Sequence, residues 1–418
     1  MIFDDRDEAM LAGEHGEACV LGMRMVVAVA EGMRATRLLD ITGAHIDGCV
    51  YYGQVCLDWA LRFRTLGARV RVPTTLNIGL LDLIHPGLTD VPEETARPAR
   101  ELMEAYVELD AKPTFTCAPY QLPGSRPGLG EHVAWAESNA IVFANSVLGA
   151  RTNRYGDFCD VACAVTGRAP AAGLHLTEHR RARVILDVSA LSDTVLASEV
   201  LYPVLGLVLG RVAGDRVAVI DGLPPAVPED RLKAIGAAAA STGAVAMFHA
   251  VGSTPEAASL DEALQGERPD GVVEVTAREL RAARDRVQTA RPGAAIDGVC
   301  VGTPHASADE LRRIVAALDG GRVRIPVWVN TARGVLAELA GTGVEDALRD
   351  AGVRIVVDTC TYTAPVVSAV RGTIMTSSGK WAHYAPANLG VDVAFGSLEE
   401  CVRSALAGRI VRDDGFWA

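Results

Sequence analysis

The 418-residue chain carries a formal charge of -12 and is 49% hydrophobic with 5% aromatics, so a core of Ala, Val and Leu divided among roughly two or three domains is expected. That charge argues against nucleic acid and against an anionic membrane surface as partners. The acidic start MIFDDRDEAML is unlike a signal peptide, and the longest apolar run, VLYPVLGLVLG, is short and broken by Gly and Pro, so no membrane and a cytoplasmic location are expected.

In chain order, residues 4–33 read as one helix with an acidic first turn. TRLLDITGAHID is a short apolar run ending in a Gly and a polar cluster that holds His45. ARVRVPTTLN repeats the grammar and closes on Thr75 and Asn77. PTFTCAPYQL, residues 113–122, sets Cys117 in a rigid, polar turn. Residues 135–150, WAESNAIVFANSVLGA, read as a buried helix flanked by polar loops. Cys159 and Cys163 fall on one helical face among apolar residues, which reads as core packing. Pro and charge cluster at residues 220–232, which places a boundary between parts 1–225 and 226–418. Beyond it, GAVAMFHAVGSTPEA, DGVCVGTPHASADELRRIVAAL, RIPVWVNTARGVLAELA and VRIVVDTCTYTAP each read as strand, polar loop and usually helix. That alternation predicts an α/β fold of mainly parallel sheets covered by helices. The tail, residues 391–418, reads as one helix and an end.

In open α/β sheets ligands sit beyond the carboxyl ends of the strands. The loops there hold His45, Thr75, Asn77, Thr303, His305, Asn330, Cys360 and Tyr362. Nine cysteines without a CxxC pair exclude zinc ribbons and ferredoxin-type runs. Cys117 and Cys360, ringed by Thr, Pro and Tyr, read instead as dispersed ligands of an iron–sulfur cluster able to help a hydroxyl leave. Cys300 is open between a third ligand and an ordinary strand cysteine. In AESNAIVFANSVLGARTNRYGDF an apolar helix carries Ser138, Asn139, Asn145 and Ser146 and ends in Arg151, Thr152, Asn153 and Arg154. Two arginines around a Thr-Asn pair suit a small anionic substrate, or else bridge helices through Glu137 or Asp157. SSGKWAHYAPANLG places Lys380, His383 and Tyr384 within one or two helical turns, each a candidate for proton transfer.

The stretches AHIDGCVYYG, VPTTLN, PTFTCAPYQ, GEHVAWAESNAIVFANSVLGARTNRYGDF, GLHL, GTPHAS, VVDTC and GKWAHYAPANLG resemble the large, catalytic subunit of aconitase X, from the N-terminal helix to about residue 390. The resemblance implies an aconitase-like multi-domain architecture and a hydro-lyase that dehydrates a small hydroxy acid with an iron–sulfur cluster. Two activities belong to the family, cis-3-hydroxy-L-proline dehydratase and phosphomevalonate dehydratase. Many archaeal-type sequences have Cys where this chain has Thr303, so the GTPH form leans towards the hydroxyproline branch and a 2Fe–2S rather than a 4Fe–4S cluster. The resemblance also implies a small swivelling domain, which the large-subunit pattern leaves out, supplied as a separate subunit. A binding protein that kept the fold and lost the cluster is the reading from another class.

Overall fold

The computed structural model of the chain describes residues 1–291 and 294–413. It forms two compact units, the first from Met1–Leu81 and Pro92–Arg181, the second from Asp82–Val91 and Ala182–Ala418. The Pro- and charge-rich stretch at 220–232 lies within the second unit. There Pro228 precedes a helix, Glu229–Thr242, whose first turn carries Glu229 and Asp230. Pro and acidic groups both favour a helix start, so the composition marks an element end there.

In the first unit the N-terminal segment is two helices, Asp5–Ala12 and Glu17–Gly32. Asp4 and Asp7 form a capping box at the first. Gly13 and Gly16 adopt φ +91° and +89°, a conformation that ends a helix and that side chains rarely take, and so the expected single helix breaks. Five short strands follow: β1 Leu38–Asp40, β2 Gly43–Ile46, β3 Thr74–Leu76, β4 Val133–Trp135 and β5 Arg168–Pro170. A three-stranded sheet runs β3-β2-β4 with both pairings parallel, while β1 pairs antiparallel with β5. Trp135 therefore belongs to a strand, and the helix after it, Ser138–Phe143, opens into a wider π turn at Ala144–Leu148. Cys159 and Cys163 lie in the helix Cys159–Thr166, packed in the core with Met23, Tyr106 and Tyr155.

The second unit holds β6 Val184–Asp187, β7 Ala218–Asp221, β8 Phe248–Ala250 and β9 Gly271–Glu274 in a parallel sheet ordered β8-β7-β6-β9. A second parallel sheet comprises β10 Gly298–Ala306, β11 Val327–Thr331, β12 Val353–Val356, β13 Thr373–Thr376 and β14 Asp392–Phe395, ordered β12-β11-β10-β13-β14. The tail is therefore more than a helix: β14 forms the sheet edge before the helix Leu398–Ala407, and its last residues, 414–418, lie outside those described. The apolar run is a buried 13-residue helix, Leu201–Ala213, and no described helix is long and apolar enough to cross a membrane.

Residues 82–91 act as a strap on the second unit. The buried Asp82 carboxylate accepts from the backbone N–H of Val357 at 3.0 Å and of His85 at 2.7 Å. Farther along, Asp90 N–H donates to Val366 O at 2.8 Å, and the Asp90 carboxylate accepts from Ser368 N–H at 3.1 Å.

Candidate functional site

In the first unit the two-residue period of strands aligns side chains across β2, β3 and β4. His45 pairs in register with Thr75 and Trp135. Asp47, Asn77 and Glu137 follow two residues on, at the carboxyl ends, and share that face. The His45 Nδ1 lies 2.8 Å from Thr75 Oγ1, and that hydroxyl reaches Ala44 O at 3.5 Å. Either Nδ1–H donates to this hydroxyl, which then turns to the carbonyl, or the hydroxyl donates to Nδ1 and the proton sits on Nε2. Burial pulls the His45 pKa down to about 3, which leaves a neutral ring. Its Nε2 is buried without a hydrogen-bond partner among the described residues.

One step further, Asn77 Nδ2 donates to Asp47 Oδ1, and Asp47 N–H donates to Asp160 Oδ2 at 2.7 Å. Burial, then the neighbouring Asp157, Glu137 and Asp160, raise the Asp47 carboxyl well above the usual carboxylate range. Burial lifts Asp160 to about 7. Sequence reading named Glu137 and Asp157 only as possible arginine partners and passed over Asp47 and Asp160; the period-two spacing from His45 to Asp47 is the signal that was there. An open recess lies at the opposite, amino end of the same strands, lined by Thr42, Thr74, Lys112 and Arg126.

Cys117 is buried in a loop stitched to β3. Thr114 Oγ1 donates to Leu76 O at 2.8 Å, and Thr116 N–H donates to the same oxygen at 3.0 Å. Asn139 then clamps the cysteine itself, with Nδ2 donating to Cys117 O at 2.8 Å while Oδ1 accepts from Tyr120 OH at 2.6 Å. Asn139 thus positions the thiol loop, and Ser138, beside it, donates to Glu137 at 3.3 Å.

Most polar residues of the Thr-Asn-Arg segment build the loop itself. Buried Asn145 donates to Thr152 O at 2.9 Å and accepts from Thr152 N–H at 3.0 Å. The fully buried Arg180, which sequence reading passed over, grips Asn145 and the carbonyls of Ala150 and Leu174. Asn153 holds Ala172 O and Leu174 N–H at 3.0 and 2.8 Å, and Arg151 donates to His175 O at 2.9 Å. His175 links Tyr155 OH, 2.8 Å from Nε2, to His132 at 2.9 Å between Nδ1 atoms. Burial pulls the His175 pKa to about 3. Ser146 is buried in the π turn, whereas Arg154 is exposed at the tip of the loop.

In the second unit the site forms where β10 bulges. Gly302 has φ +80°, and a Cβ there would sit 2.2 Å from Asn330 O, so the close approach of β11 requires glycine. Fully buried Asn330 ties the strand ends together, with Nδ2 donating to Val301 O at 3.1 Å and Oδ1 accepting from Thr361 N–H at 3.1 Å. His305 Nε2 lies 3.1 Å from Thr359 O, which fixes the proton on Nε2 and makes Nδ1 the basic nitrogen. Cys360 is buried next in sequence to that carbonyl. Cys300 lies mid-strand opposite Trp328, and burial pushes its thiol up to about 12, the setting of a packing cysteine.

Helix Gly379–Leu389 starts at Ser378, which caps Trp381 N–H and donates to Thr303 O. Lys380 is buried with its Nζ 5.9 Å from the Tyr362 ring centroid, and Tyr362 stacks on Tyr384 at 5.8 Å. His383 points from the exposed side of that helix. A small recess opens beside Lys233, Thr303, Ser378 and Gly379.

Family models described as the aconitase X first, second and third domains match residues 1–178, 182–285 and 296–407. A cis-3-hydroxy-L-proline dehydratase of Pseudomonas aeruginosa is 45% identical over 97% of this chain and 70% of that protein. One of Hypocrea jecorina is 41% identical over 97% of this chain and 68% of that protein. A phosphomevalonate dehydratase large subunit of Methanothermobacter thermautotrophicus is 37% identical over 96% of this chain and 98% of that protein. The crystal structure of Thermococcus kodakaraensis aconitase X in its holo-form superposes with a TM-score of 0.86 at 33% identity, covering 97% of this chain and all of that one.

Proposed function

We propose that this chain, which belongs to the aconitase X family and is a hydro-lyase of the aconitase superfamily, removes water from cis-3-hydroxy-L-proline to give Δ1-pyrroline-2-carboxylate. The observation that carries the substrate is the higher identity to hydroxyproline dehydratases, 45% and 41%, than to the phosphomevalonate enzyme, 37%. Thr303 in the GTPH stretch supports the same branch.

The donors present fit an iron–sulfur cluster. Cys117 and Cys360 are buried thiols on loops past strand ends, and His305 has the carbonyl-anchored tautomer common in metal-binding histidines. Cys117 in the first unit, and Cys360 and His305 in the second, are the donors it would call on, as a 2Fe–2S rather than a 4Fe–4S cluster. When bound, the cluster supplies Lewis acidity towards the departing hydroxyl. Arg154 grips the substrate carboxylate and stabilises the enolate-like charge that develops as the C2 proton leaves. One of Lys380 and Tyr384 takes the C2 proton and the other gives a proton to the departing hydroxyl as the C3–O bond breaks, so that water leaves, and the enamine formed tautomerises to the imine product. Free, mostly buried cysteines suit the reducing cytoplasm.

A small swivelling subunit completes the enzyme. Several relatives are named large subunits, and the hydroxyproline dehydratases extend beyond the matched region. The chain should be reconstituted anaerobically with iron and sulfide and assayed on cis-3-hydroxy-L-proline and mevalonate 5-phosphate, with and without that subunit. Hydroxyproline turnover, raised by orders of magnitude by the subunit, is expected. Turnover of the phosphorylated acid alone, or a colourless protein acting on neither, would sink the reading.

A further inference from the structure

At the carboxyl ends of β2 and β3, Asp47 is half-buried, with the exposed Asp157 hydrogen-bonded to it and the buried Asp160 accepting from its N–H. No arginine, lysine or histidine pairs with any of these three carboxyls among the described residues. Asn77 supplies an independent sign. Its side chain is 3% exposed, its Nδ2 is spent on Asp47, and its Oδ1, on the same planar amide, has no hydrogen-bond partner among the described residues. A buried acceptor left open beside a carboxylate asks for a donor, and uncompensated carboxyls ask for a positive charge. A protonated ring nitrogen answers both, with two N–H donors and one charge. A phosphate would meet repulsion here.

We propose that Asp47, backed by Asp157 and flanked by Asn77 Oδ1, binds the ring ammonium of the amino-acid substrate and so selects zwitterions over phosphorylated acids. This rests on the hydroxyproline reading. The ammonium would give one N–H to Asp47 and the other to Asn77, while Arg154, on the loop that carries Asp157, takes the carboxylate. The raised Asp47 carboxyl fits a group whose ionised form awaits a cation, so binding of the ammonium should release a proton.

The test compares L-proline with tetrahydrofuran-2-carboxylate, in which oxygen replaces the ring ammonium, by calorimetry on the full reconstituted chain. Wild type should prefer proline by about tenfold or more, the worth of a charge-assisted hydrogen bond. Asp47→Asn should bring the two affinities close to equal while changing the ether's by less than about threefold, and Asp47→Glu should restore part of the preference. Should Asp47→Asn fail to fold, Asp157→Asn, at an exposed position, must lower the preference several-fold. An unchanged preference in the folded variant, no preference in wild type, or proline binding that requires added Mg²⁺ or Ca²⁺ overturns the assignment. Preference for proline in a chain that dehydrates no hydroxyproline would instead defeat the substrate reading and leave an ammonium site standing.

Discussion

Arg151 and Arg154 stand three apart in sequence but meet different surroundings, and that difference is measurable. Arg151 spends a guanidinium nitrogen on His175 O, whereas Arg154 is exposed at the tip of the loop. Arg154→Ala should therefore raise KM by tens of fold, the equivalent of about 2 kcal/mol, with little change in Tm. Arg151→Ala should lower Tm as well, because it frees a loop anchor. The same contrast separates the cysteines. Cys117→Ser and Cys360→Ser should each lose bound iron, and Cys300→Ser should keep it; iron content of the reconstituted protein checks all three. Cys117 stood out in the sequence because a thiol among Thr and Pro is an odd choice for packing. Asp47 and Asn330 were not, since a single Asp or Asn after a strand looks the same whether it caps a turn or gathers three others. What gives them meaning is register between strands far apart in sequence.

The strand ends of the second unit depend on one amide. Asn330→Ala would leave Val301 O and Thr361 N–H buried without that partner, so a loss of about 2–4 kcal/mol is expected from denaturant unfolding. The parallel sheets themselves could be read from the alternation of apolar runs and helical periods, since buried parallel strands are continuous and apolar. Element boundaries were harder. The N-terminal helix broke at Gly13 and Gly16, whose left-handed conformations a periodic pattern does not reveal. β14 went unseen because four residues at a sheet edge are too few to show alternation, and only pairing with β13 makes DVAF a strand.

For the whole molecule, pH acts through groups that burial holds in the neutral form. His175 titrates at about 3 in the fold against about 6.5 unfolded, so its folded pKa is depressed. The folded state then binds fewer protons, and the stability this gives is present above pH 6.5 and declines as pH falls. Between pH 7 and pH 5, wild type should lose on the order of 2 kcal/mol relative to His175→Gln, seen as a shrinking gap between their denaturant midpoints. Raised carboxyls such as Asp160 act with the opposite sign and are common to both proteins, so the difference isolates the imidazole. The strap at 82–91 carries a consequence for synthesis. At about 5–20 residues per second, the ribosome makes Asp82 and Asp90 well before their donor partners, the N–H groups of Val357 and Ser368, exist. The first unit must therefore close around a loop whose own destination is still to be translated. A 182–418 fragment should be correspondingly handicapped: alone it should aggregate or melt early, and a synthetic peptide of residues 82–91 added during refolding should raise its yield.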